Sequence, residues 1–123
     1  MSKVFINLSN HPSTNWSIKQ TEAAKYYGEI VDIDFPLIRA EADETEIEEL
    51  AEQYLERILE HDCRAVMVQG EFTFTYHLIK LLEKKQITAL AACTERKSEE
   101  AVNPDGSTTK KVNFQFVRFR KYT

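Results

Sequence analysis

Three short stretches of this 123-residue chain carry the residue types that hold phosphates and sugars or move protons. The first is Ser9-Asn10-His11, followed by Pro12, Ser13, Thr14 and Asn15. The second is Gln69-Gly70-Glu71, with Thr73 and Thr75 just beyond it. The third is Thr94-Glu95-Arg96-Lys97. His11 brings an imidazole, the one side chain whose ordinary pKa lets it donate and accept protons near neutrality. Arg96 and Lys97 bring cations that stabilise charge on phosphoryl oxygens. Ser9, Asn10, Gln69, Glu71, Thr73, Thr94 and Glu95 bring the hydroxyl, amide and carboxylate groups that orient a ribose or a base edge. Gly70 supplies backbone freedom for a turn. Each stretch also has a plain structural explanation as a capped loop, a strand-to-helix turn or a solvated loop. The case for a site rests on their meeting in one place.

The elements that position them follow from hydrophobic periodicity. Val4–Leu8 is an apolar run of strand length. Ser17-x-x-Gln20 fits a capping box that opens a helix, and Gly28 fits the position just past its end. Residues 29–35 (EIVDIDF) alternate as a second strand, stopped by Pro36. Ile47, Leu50, Ala51, Tyr54, Leu55, Ile58 and Leu59 form one helical stripe, and the glutamates of that segment lie largely outside it. Ala65–Val68 reads as a buried strand. A third helix turns Phe74, Leu78, Leu81 and Leu82 inward, and Ile87–Cys93 is a fourth strand. The remainder reads as a hairpin with its turn within residues 103–106 and an alternating return strand over Val112–Phe119.

Strands alternating with helices predict a single α/β domain over residues 1–123, a Rossmann-like three-layer sandwich with a mostly parallel sheet and a C-terminal β-hairpin. In such sheets ligands bind outside the carboxyl ends of the strands. All three polar stretches fall at those ends, as loops after strands one, three and four. Helix N-termini at Ser17 and around Thr73 would add backbone N–H donors that favour anions. Trp16 reads as a packing residue, and Cys93 as buried and inert.

Composition removes several alternatives. Sixteen basic and twenty acidic residues give a net charge of −4, which is wrong for a general nucleic-acid coat, and no duplex nucleic acid is expected as a partner. The charge is uneven: residues 29–60 sum to −10 and residues 96–123 to +4. No run is long enough to cross a membrane, residues 1–8 lack a signal layout, and two cysteines make neither a disulfide framework nor a zinc cage. A reduced, cytoplasmic protein without membrane contact is the expectation. The chain has no G-x-G-x-x-G, no phosphate-loop motif, no G-x-S-x-G elbow and no zinc-ligand spacing among His11, His61 and His77. Neither cofactor nor metal is therefore expected.

The Ser9-Asn10-His11-Pro12 loop, Gln69-Gly70-Glu71-Phe72-Thr73, Cys93-Thr94-Glu95-Arg96-Lys97 and the basic aromatic ending Phe116-Val117-Arg118-Phe119-Arg120-Lys121-Tyr122 together resemble the small stand-alone CRISPR-associated proteins of type III systems. These are related to the CRISPR-associated Rossmann-fold sensor domains and include ring nucleases. The resemblance spans nearly the whole chain on short motifs. It implies a homodimer that binds a cyclic oligoadenylate, usually the tetra-adenylate, at its two-fold axis and cuts it without metal, which ends an antiviral signal. No appended effector nuclease domain is expected, and the family supplies no shared catalytic set to carry over. On the residues, His11 would be the general acid or base, Arg96 and Lys97 would hold the phosphoryl oxygens, and the ligand's own 2′-hydroxyl would attack. Two other classes fit the same residues: a non-catalytic sponge or sensor for the same ligand, and a partner-binding structural domain.

Overall fold

A computed structural model describes residues 3–123. Its elements run β1 (Val4–Ser9), a 3-10 turn (Ser13–Asn15), α1 (Ile18–Lys25), β2 (Glu29–Asp34), α2 (Glu44–Leu59), β3 (Cys63–Val68), α3 (Phe72–Lys84), β4 (Thr88–Val102) and β5 (Thr108–Lys121). The five strands form one sheet in the order β2-β1-β3-β4-β5. The pairs β1–β2, β1–β3 and β3–β4 are parallel, and only β4–β5 is antiparallel. This is the mixed α/β architecture with a C-terminal hairpin that the alternation predicts.

The interior strand β1 is buried along its whole length, as expected of a parallel strand covered on both faces. Side chains alternate across it. Val4, Ile6 and Leu8 join α2 and α3 in one core, with Ile47, Ala51, Leu55 and Ile58 from α2 and Phe74, Leu78, Ile79 and Leu82 from α3. Phe5 points the other way, into a smaller core with Ala24 of α1, Met67, Leu90, Phe116 and Phe119. Local chemistry sets the helix ends. Asp43 accepts from the Glu46 N–H at 2.9 Å, with Glu44 and Glu46 in the favourable first turn of α2. Ser17 caps α1 by accepting from the Gln20 N–H at 3.2 Å. The reciprocal half of that capping box is not formed, because the Gln20 amide reaches Met67 Sδ instead. Gly28 has φ +155°, and a Cβ there would run into the Lys3 carbonyl, so the turn into β2 requires glycine.

The hairpin departs most from expectation. β4 pairs with β3 only from Thr88 to Leu90, yet it continues to Val102 with β5 as its one neighbour. Residues 94–97 are thus strand and not a loop after strand four: once they pair with residues 113–116 of β5, the chain stays extended. The register shifts between Cys93 and Thr94, leaving Val117 as the extra residue of a bulge. Phe116 and Phe119 are three apart, which would put them on opposite faces of a regular strand. The bulge brings both onto the α1 side, with ring centroids 4.9 Å apart. The turn lies where expected: Gly106 N–H donates to Asn103 O at 2.9 Å and has φ +88°.

Candidate functional site

At the carboxyl ends of β1 and β3 and beside the middle of β4, on the α1 side of the sheet, lies a cavity of about 870 Å³. Its walls come from the β1 loop (Ser9, His11, Asn15, Trp16), the first turn of α1 (Ser17, Lys19, Gln20), the end of β3 (Met67, Gln69) and the base of the hairpin (Thr94, Phe114, Phe116). Strand order reverses between β1 and β3, so the chains leaving these strands diverge and open a crevice there.

A buried polar network holds the β1 loop. Asn7, 2 % exposed in the middle of β1, donates through Nδ2 to the His11 carbonyl at 2.8 Å and to Asp32 Oδ1 at 3.1 Å. Ser9 Oγ donates to Asn7 Oδ1 at 2.7 Å and accepts from the His11 N–H at 3.2 Å. Asp32 Oδ2 accepts from the Ser13 N–H at 3.0 Å. The backbone of His11 is therefore fixed on both sides, while its side chain is exposed on the cavity wall. Ser9 serves this loop; its hydroxyl is already engaged. Across the crevice, the side-chain oxygen of Gln69 accepts from the Ala92 N–H, just past the last β3–β4 pair, which leaves the amide NH₂ for the cavity. Trp16 packs edge-to-face on Phe5 at 6.1 Å and also forms part of the wall, so its packing and its exposure to a ligand coexist.

Of the predicted residues, Ser9, His11, Gln69 and Thr94 are brought together. The others are not. Asn10 lines a separate small pocket of about 120 Å³ with Pro12 and Asp32. Gly70 lies under the Phe35 ring, which a Cβ would strike, so its glycine serves packing. Glu71 caps α3: its carboxylate accepts from the Phe74 N–H at 2.8 Å and from Thr73 Oγ1 at 2.7 Å, and these bonds hold its pKa below the usual carboxylate range. That cap takes the Phe74 N–H and the Thr73 hydroxyl at the helix start that was expected to attract an anion, and it places a carboxylate there. Strand alternation turns Arg96 to the cavity-side face beside Phe114, its partner across the hairpin, and turns Glu95 and Lys97 to the opposite face.

Sequence reasoning missed Lys19, Gln20, Phe114 and the Asn7–Asp32 pair. Asn7 did carry a signal, as the one amide inside an apolar strand. Lys19 and Gln20 follow the Ser17 cap, where side chains of a first turn stand at the strand ends. Phe114 had none, since its place depends on the length of the hairpin. Among the described residues, no group of three or more His, Cys, Asp and Glu side chains is placed to hold a metal ion. No described helix is long and apolar enough to cross a membrane.

The model of the uncharacterized protein MJ1673 family matches residues 3–120, and the chain belongs to that family. No curated protein and no solved structure matches it.

Proposed function

We propose that this member of the MJ1673 family binds a cyclic oligoadenylate, cyclic tetra-adenylate foremost, and cleaves it as a metal-independent ring nuclease of type III CRISPR antiviral signalling in the cytoplasm. The observation that carries the reading is the lining of the 870 Å³ cavity: an imidazole, an ammonium, several amides and hydroxyls, and three aromatic rings at the strand carboxyl ends. Adenine needs amides for its edge and aromatic faces for stacking, and its phosphates need a cation and N–H donors. Lys19 beside the Ser17-capped start of α1 supplies the cation, and Arg96 lies outside the lining, across the hairpin from Phe114. The strand order, with helices on both faces, agrees with the Rossmann-like class. A cavity open on one side suits a homodimer that encloses the ring across a two-fold axis.

Cleavage would be positional. The ribose 2′-oxygen attacks the adjacent phosphorus in line, the P–O5′ bond breaks, and a 2′,3′-cyclic phosphate and a 5′-hydroxyl result. His11 exchanges the proton lost by the 2′-hydroxyl or gained by the 5′-oxygen, and Lys19 holds the phosphoryl oxygens.

The other reading, a non-catalytic sponge or sensor, is favoured by one feature: among the described residues that line the cavity, His11 is the one imidazole and no carboxylate stands beside it as a second acid–base group. Incubating the protein with radiolabelled cyclic tetra-adenylate in EDTA separates the two. Linear product supports the nuclease, binding without product supports the sponge, and no binding at micromolar protein rejects both in favour of a partner-binding domain.

A further inference from the structure

Beyond the cavity, the hairpin projects as a two-stranded ribbon. From Thr94 to Val102 and from Thr108 to Gln115 every residue is exposed except by its neighbours across the strand pair. A lone two-stranded ribbon is marginal in water, so a ribbon of this length calls for something to pack on. Its pattern says which face. The register puts Thr94–Phe116, Arg96–Phe114, Ser98–Val112, Glu100–Lys110 and Val102–Thr108 on the cavity side. The other face carries Glu95–Gln115, Lys97–Asn113, Glu99–Lys111 and Ala101–Thr109 and is polar nearly throughout. On the cavity-side face Phe114 is 70 % exposed and Val102 77 %. Phe114, Val112 and Val102 thus leave exposed apolar surface among the polar residues of this face, and outward of the buried Phe116 nothing among the described residues covers it.

We propose that the cover is the same face of a second copy, with the two ribbons clasped face to face and their tips pointing the same way. A two-fold axis parallel to the strands lays β4 of one copy over β5 of the other. Each rung then meets its own partner type: Glu100 meets Lys110, Arg96 meets the Phe114 ring, Ser98 meets Val112 and Val102 meets Thr108, each contact occurring twice. No charged residue on the face meets a like charge, and the arginine over an aromatic face is a favourable cation–π pair. Sheets packed this way lie about 10 Å apart, which these side chains fill. The ribbon face continues into the cavity wall through Thr94, Phe114 and Phe116, so the clasp also sets the two cavities on either side of one axis, with Arg96 of the second copy at the mouth of the first. The pairing stands on the ribbon alone. What it adds to the ligand reading is the closure of a shared ring site.

The test uses the full chain without ligand. Analytical ultracentrifugation of the wild type is expected to give twice the chain mass. Glu100→Lys and Lys110→Glu each place four like charges in the clasp and are expected to raise the dimer dissociation constant at least tenfold, while an equimolar mixture of the two restores the dimer as a heterodimer. Circular dichroism reports whether each variant is folded. Independently, a mixture of Ser98→Cys and Val112→Cys chains should form an intermolecular disulfide on oxidation, and a mixture of Lys97→Cys and Asn113→Cys chains, on the outer face, should not. A monomeric wild type at 100 μM, charge variants that dimerise like the wild type, or equal cross-linking of both cysteine mixtures would overturn the clasp. Correct pairing without any cyclic adenylate binding would leave the clasp standing and remove the ligand reading.

Discussion

His11 is the residue on which the nuclease reading turns, because its position is fixed by other residues. Asn7 and Ser9 hold its carbonyl and its N–H, so the ring is presented to the cavity from a backbone hydrogen-bonded on both sides. Replacing His11 with Ala should slow single-turnover ring cleavage by roughly 10²–10⁴-fold while binding survives. His61→Ala, at the far end of α2, should stay near wild type; equal loss in both would take His11 out of the reaction. Asn7 acts through His11 and is a positioning residue. Asn7→Ala strands Ser9 and Asp32 partners and should cost about 1–3 kcal/mol of stability. Measured at a temperature where the variant is folded, it should also lower the cleavage rate with a smaller change in affinity. Lys19 is the cation inside the cavity, and Lys19→Ala should weaken ligand binding by about 1.5–3 kcal/mol, the range for hydrogen bonds to charged groups. Part of that loss should disappear as salt is raised, which titration at two ionic strengths would report.

At the scale of elements, the helix N-termini divide their labour. α1 presents its first turn to the cavity, and α3 gives its Phe74 N–H to the Glu71 carboxylate. Because the α3 cap depresses the pKa of Glu71, its contribution is present above the unfolded-state value and is lost as pH falls through the lower folded-state value. Glu71→Gln should therefore be less stable than wild type at neutral pH, by about 0.5–1 kcal/mol as for an exposed cap. The difference should close in acid, where the wild-type carboxyl is protonated too. Denaturant melts at neutral and strongly acidic pH would check this, and a pH-independent gap would assign the effect to something other than the cap's charge.

For the whole molecule, the division is between a body with two cores and an arm with none. The body's cores use Phe116, Phe119 and Leu90 from the hairpin, all on the body side of Gln115. At protein concentrations below the dimer dissociation constant, cutting the ribbon at the Lys97–Asn113 pair and closing it with Asn-Gly should thus leave the melting temperature within about 4 °C of wild type, equivalent to less than ~1 kcal/mol. The same shortened chain should lose self-association. A large fall in melting temperature would show that the arm supports the body, which its exposure argues against.

What the sequence determined by itself was everything carried by short-range pattern. The stripe from Ile47 to Leu59 had to be a helix packed by one face, although its last residue, Leu59, is exposed; Val4–Leu8 and Ala65–Val68 had to be buried strands, and their alternation required a mostly parallel sheet with loops gathered at one rim. His11 and Gln69 were found by that logic, since a residue just past a buried strand is at the rim whatever else happens. What only the tertiary structure decided depended on partners distant in sequence. Thr94–Lys97 were polar and looked like loop, and they became strand because β5 lay alongside to pair with them. Glu71 looked free for a ligand, but the Phe74 N–H it now holds comes within its reach only once α3 has formed. Phe116 and Phe119 share a face because one extra residue in β5 shifts the register, and alternation read along a single strand cannot register an inserted residue. Lys19, Gln20 and Phe114 reach one cavity because a helix start and a strand far along the chain close over the same strand ends, a proximity created by folding and written in no local spacing.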